Sequence, residues 1–167
     1  MTQFTGSNDY TTGRANPIAP AGAENVSYRT TLAMATADLA QNVIGQISIL
    51  PARCVPVSVL VDGTDMDSST AAVIFQVGIG NLALQDAAGA TSADAKNTVM
   101  STKTADGGAA WGSTTAAATA FQQQVLSQPM MTVTPVDYDR AIIVKVTTAP
   151  TTAVAGTLGL TLVYRSA

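Results

Sequence analysis

Between Val43 and Gly80 apolar residues return at every second position, in three runs separated by turn residues. Val43, Gly45, Ile47 and Ile49 share one side of an extended chain, as do Val55, Val57, Val59 and Val61, and then Ala71, Val73, Phe75, Val77 and Ile79. A period of two is the signature of strands with one buried face. The pattern predicts strands over Val43–Leu50, Val55–Asp62 and Thr70–Gly80. It recurs on both sides of this centre. Tyr28, Thr30, Leu32 and Met34 alternate with Ser27, Arg29 and Thr31 in a first strand, Val26–Met34. Ile142, Val144 and Val146 oppose Ile143, Lys145 and Thr147. Leu158, Leu160, Leu162 and Tyr164 oppose Thr157, Gly159, Thr161 and Val163. Thr119–Gln128 is readable as helix or strand; its surroundings favour a strand with Phe121, Gln123 and Val125 on one face. Met130–Pro135 adds a short one. About eight strands with turns between them, and no helical crossovers, predict an all-β fold: an antiparallel β-sandwich, jelly-roll-like.

The remaining stretches set the organisation. Residues 1–25 hold Gly6, Gly13, Gly22, Pro17 and Pro20 and show no period. They are expected to form an extended N-terminal arm, either a frayed terminus or a segment lying on a neighbouring subunit. Phe4, Tyr10, Arg14 and Ile18 are its candidate partner-binding residues. Residues 26–167 are expected to form a single β-sandwich domain. In the connection ATADLAQN, one helical turn capped by Thr36 is expected, with Asp38 near its start. Pro56 cannot donate to a ladder, so it should open its strand or lie on an edge. Asn81–Ala120, rich in Ala, Gly, Ser and Thr, is too long for a plain loop in a compact domain and should hold short strands, a helical turn or an insertion. Trp111, the one tryptophan, sits there in GGAAWG. It reads as a loop anchor on the core or as a contact with a partner or sugar.

Composition narrows the chemistry. Charged residues are 11% of the chain, against roughly 25% in an average soluble domain. A surface of Ala, Thr, Ser and Gly suits close contact with other protein. The net charge of −3, without a lysine or arginine cluster, argues against nucleic acid as a partner. No apolar run approaches the length of a membrane span, and the N-terminus lacks the apolar stretch of a signal peptide, so no membrane association and production in the cytoplasm are expected. Histidine is absent, which removes Ser-His-Asp and Cys-His catalysis and the commonest metal ligand. The single cysteine, Cys54, excludes an intrachain disulfide and reads as a small, inert, half-buried residue. Glu24 is the one glutamate and lies in the arm, so a glycosidase pair would need aspartates; Asp65/Asp67 and Asp137/Asp139 both sit at turns. Asp62, Asp65 and Asp67 lack the spacing and distal glutamate of a calcium loop and read as an acidic hairpin turn. Gly78-x-Gly80 lacks the third glycine of a dinucleotide site. Arg140, beside Asp137 and Asp139, is expected to form a local ion pair. No enzyme activity, cofactor or metal is expected.

Three stretches carry a resemblance. ADLAQNVIGQISILPARCVPVSVLVD (37–62) is similar to the low-complexity lead-in and ILPA-x-x-VPV strand of phage head-associated β-sandwich proteins. AAVIFQVGIG (71–80) is similar to their strand ending in a V-G-I turn. PVDYDRAIIVKVTTAPTTAVAGTLGLTLVYRSA (135–167) is similar to their C-terminal P-x-D-x-D-R, V-K-V and A-G-T-L-x-L-x-L-x-YR pattern. The chain therefore resembles small structural proteins of tailed bacteriophage virions. The resemblance implies a capsid decoration (cement) protein with a jelly-roll-like fold, placed on the capsid surface. Its implied partners are the major capsid protein and itself, as a homo-oligomer, most often a homotrimer. Two alternatives remain: a host-recognition or carbohydrate-binding module of a head fibre or tail, using Trp111 and the loop around Asp65, and a head–tail connector or tail component.

Overall fold

The computed structural model describes Gly6, Asn8, Asp9, Ile18, Pro20, Gly22 and residues 24–69, 73–81, 110–115, 120–125 and 133–167. Among these residues eight strands follow one another: β1 (Asn25–Met34), β2 (Ile44–Leu50), β3 (Cys54–Gly63), β4 (Ile74–Asn81), β5 (Ala110–Thr115), β6 (Phe121–Val125), β7 (Arg140–Thr148) and β8 (Gly156–Ser166). They form two four-stranded sheets, in the orders β1-β8-β3-β6 and β2-β7-β4-β5. The first four strands pair with the last four in reverse: β1 with β8, β2 with β7, β3 with β6 and β4 with β5, all antiparallel. Wrapping that ribbon brings β8 against β3 and β7 against β4. This is the jelly-roll arrangement, an antiparallel sandwich built from two Greek keys.

The core lies between the sheets. Leu32, Val59, Val61, Leu158, Leu160, Leu162 and Tyr164 come from one; Ile47, Leu50, Phe75, Val77, Ile79, Ile142, Val144 and Val146 come from the other. Each such side chain taken fully out of water contributes about 1.5–3 kcal/mol before entropy is counted. Phe75 stacks on Phe121 across the sheets, ring centroids 6.2 Å apart. The alternation of β4 and β8 is as the sequence predicts.

Two strands depart from it. The register of β2 on β7 shifts between Gln46 and Ser48, and that of β3 on β8 shifts between Pro56 and Ser58. Each extra residue turns the rest of its strand to the other face. In β2 the core therefore receives Ile47 and then Leu50, not the single series Val43, Gly45, Ile47, Ile49. In β3, Cys54 is buried in the core and Pro56 is also buried, Val55 is half-buried and Val57 is 37% exposed; Val59 and Val61 alone keep the predicted inward face. The expectation of one buried face also fails for β2 and β7. Ile44, Ala141 and Ile143 are buried in a second apolar cluster, separate from the main core. Met130–Pro135 is not a strand in its described part, because Val133–Pro135 is irregular, with Val133 buried. Thr36 does not cap its turn. Thr36–Leu39 is a short 3-10 helix with Ala35 at the N-cap, and the Asp38 carboxylate reaches back to accept the Ala35 N–H at 2.8 Å.

Candidate interaction surface

The strand directions gather the connections at two ends. At one end lie the link between β1 and β2, residues 64–69 after β3, and residues 149–155 between β7 and β8. Asp67 joins the last two. It is fully buried, bridges to Ala153, and accepts hydrogen bonds from the backbone N–H groups of Thr151 and Thr152 and from the N–H and hydroxyl of Ser69, at 2.8–3.2 Å. Burial alone would raise its pKa; the bonds from Thr152, Ser69 and Thr151 outweigh that and hold it at about 2, below the ordinary 3.8. Asp65 accepts the Asp67 N–H at 3.0 Å, and Asp62 pairs with Arg29. The three aspartates raised by the calcium question thus have protein donors. The Arg29–Asp62 pair links β1 to β3 across β8, over Gly159, where a Cβ would strike both side chains.

The other end holds the Pro51–Arg53 turn, residues 133–139 before β7, and Ala167. Arg53 adopts a left-handed backbone, φ 59°, uncommon outside glycine, asparagine and aspartate. The conformation is tied on several sides. Its N–H donates to Val136 O at 2.7 Å, its carbonyl accepts from Ala167 N–H at 3.0 Å, and Ala52 N–H donates to Asp139 Oδ1 at 2.8 Å. Its exposed side chain pairs with Asp137 at 2.7 Å. The expected local pair of Arg140 with these aspartates is replaced by a deeper role. Arg140 is fully buried, and its guanidinium donates to the carbonyls of Thr134 and Cys54, both at 2.9 Å, because a strand-initial position facing inward leaves it no route to water. The Cys54 thiol is buried; burial pushes its pKa up, Arg140 pulls against that and Asp139 adds to it.

Of the sequence-predicted partner residues, Phe4, Tyr10 and Arg14 lie outside the described residues. Ile18 is described. Its side chain is 73% exposed, and its carbonyl accepts the Tyr164 hydroxyl at 2.5 Å. Trp111 belongs to β5 rather than to a loop. Ile18 and Trp111 are not brought into one described site. Sequence reasoning missed two exposed side chains near Ile18's end of the sandwich: Val57, turned out by its bulge, and Tyr138, 46% exposed beside the Arg53–Asp137 pair. Of the four large apolar side chains exposed among the described residues, these three share the Pro51–Arg53 end; Val154 is at the other. Tyr138 had a legible signal, an aromatic in the turn PVDYDR; Val57 had none, because alternation placed it inside.

No protein-family model matches the chain, and no curated protein sequence does. Among solved structures, a chain in the capsid of Ralstonia phage GP4 aligns over 99% of this chain and 97% of its own, at 20% identity and a TM-score of 0.69. A chain in the capsid asymmetric unit of cyanophage Pam1 aligns over 91% and 94%, at 16% identity and a TM-score of 0.43. The chain therefore has the fold of a protein found in the GP4 capsid, matched almost from end to end.

Proposed function

We propose that this protein is a structural component of a tailed-phage virion, and specifically a decoration protein that binds the outer surface of the head and stabilises the shell. The observation that carries the reading is the near-complete alignment with a chain of the GP4 capsid, over 99% of this chain and 97% of that one. The low charge and the many small side chains support it, since they suit close, repeated contact with a protein lattice. Non-catalytic work also agrees with the site chemistry: the aspartates that a hydrolase would need are engaged in holding turns. The attachment surface is the Pro51–Arg53 end, which carries exposed Ile18, Val57, Tyr138 and Arg53; tyrosine and arginine are the residue types enriched at interface centres. Binding to the shell but not to its dissociated subunits would stabilise it by mass action, about 2.7 kcal/mol per site at a hundredfold excess over Kd.

Electron microscopy of heads lacking the protein, before and after its addition, tests the reading. Added density on the outer surface is the expected result, with a higher temperature for DNA release. Density confined to a tail or connector, or binding to glycans without binding to heads, overturns it. Tyr138→Asp should weaken head binding at least tenfold while leaving the melting temperature within a few degrees, as surface substitutions do.

A further inference from the structure

Among the described strands β1 is one edge of its sheet and β2 one edge of the other, and these two edges lie side by side. Tyr28 of β1 reaches across the seam to Ser48 and to the Ile49 carbonyl of β2. At this seam lie Gly6 and Asn8. Asn8 Nδ2 donates to Ile47 O at 2.9 Å and to Thr31 O at 3.2 Å, so one carboxamide joins both sheet edges. Gly6 lies so close to β1 that a Cβ would strike the Ala33 carbonyl. The seam therefore selects for sequence. It has no room for a side chain at the first of these positions, and at the other it presents two carbonyls that only a donor satisfies; a carboxylate there would be repelled by both.

Nothing in these contacts requires the segment and the seam to belong to one chain. Ile18 is held by the Tyr164 hydroxyl, whose residue lies opposite Val26 of β1, so the link from Asn8 to that anchor is residues 9–17, which reach about 30 Å when extended. The way back along β1 from Thr31 to Val26 needs only about 17 Å. The excess is enough to cross to an adjacent molecule. We propose that in the assembled shell the seam between β1 and β2 takes residues 6–8 of a second copy, so that neighbouring molecules exchange arms. Exchange preserves the Gly6 and Asn8 contacts at the seam, so its main cost is chain entropy, and a lattice that holds copies side by side raises the effective concentration that offsets it. The inference rests on the reading of the protein as a repeated shell component.

The test uses two full-length variants, Asp9→Cys and Ala33→Cys; both positions are exposed and the native Cys54 is buried. They are mixed, on heads and separately at high concentration without heads, and treated with a short bis-maleimide. A product joining the two different chains, absent from either variant alone and lost when Gly6→Val is added to the Asp9→Cys chain, is expected. A double variant that links only within itself, with no product from the mixture, overturns exchange: the arm then serves its own seam. No link in either preparation overturns the seam as the arm's receptor. Head binding by untreated protein is scored separately by sedimentation, so failure of exchange with intact binding rejects this inference alone, whereas loss of binding rejects the decoration role.

Discussion

Asp67 shows how a single side chain holds two loops that the sequence does not connect. Its carboxylate takes donors from residues 69, 151 and 152, and its pKa of about 2 means that the folded state holds the acidic proton more weakly than the unfolded chain does. The stability it provides is present in full above the unfolded value of about 4 and is lost as the pH falls through 2. Urea midpoints of the wild type should therefore drop between pH 4 and pH 2, and Asp67→Asn should start lower at neutral pH and change less over that range. Arg140 does comparable work at the other end, with a buried cation facing two carbonyls. Arg140→Met keeps the volume and removes both charge-assisted bonds; a loss of about 2–3 kcal/mol is expected by urea unfolding, and Arg140→Lys, with one compact ammonium in place of a planar fork, should not restore it. Neither role was legible in the sequence, where both residues look like ordinary turn polars. What distinguishes them is a partner more than eighty residues away, Thr151 for Asp67 and Cys54 for Arg140.

The elements themselves were largely legible, because alternation is a local property and burial of one face enforces it. β1, β4, β7 and β8 follow the predicted series on the face that meets the main core. The failures lie at the bulges in β2 and β3, on either side of the Pro51–Arg53 turn. An inserted residue leaves no mark on composition, and the run V-P-V-S-V-L-V continues its alternation straight through the place where the structure abandons it. Two substitutions separate the readings. Simple alternation puts Val57 and Val59 on the same buried face. The structure puts Val57 partly in water and Val59 wholly inside. Val57→Asp should therefore shift stability by no more than about 0.5 kcal/mol, as exposed substitutions do. Val59→Asp places an unpaired carboxylate in the core and should prevent folding, read as loss of the cooperative unfolding transition. Equal damage from both would mean that the bulge between Pro56 and Ser58 is absent. The same bulge supplies one of the exposed side chains of the proposed attachment end, so an irregularity of one element also shapes the surface offered to a partner.

At the scale of the whole molecule, the strand count and class were legible but the strand order was not, since pairing partners are set by how the ribbon wraps. In that ribbon β1 meets β8, Asn25 opposite Arg165 and Met34 opposite Gly156, so one of the two central strands of that sheet is the last to be made and one of its neighbours is the first. Closing a loop of nearly the whole chain must precede those contacts, and folds dominated by such pairings refold in milliseconds to seconds. The topology offers a direct check. The end of β8 and the start of β1 are antiparallel neighbours, Arg165 opposite Asn25, so Asn-Gly inserted between Ser166 and Asn25 would make them a hairpin with the three-residue loop Ser-Asn-Gly, with new termini opened between β4 and β5, which also pair. Every strand pair survives in this permutant, while the longest-range one becomes local. It should refold at least tenfold faster than the native order, measured by stopped-flow fluorescence, and its urea unfolding should remain a single transition. It also lacks residues 1–24, and with them Gly6 and Asn8 at the β1–β2 seam. The seam should therefore bind added synthetic peptide of residues 1–9, and a peptide carrying Asn8→Asp should fail to bind, since both facing groups are carbonyls.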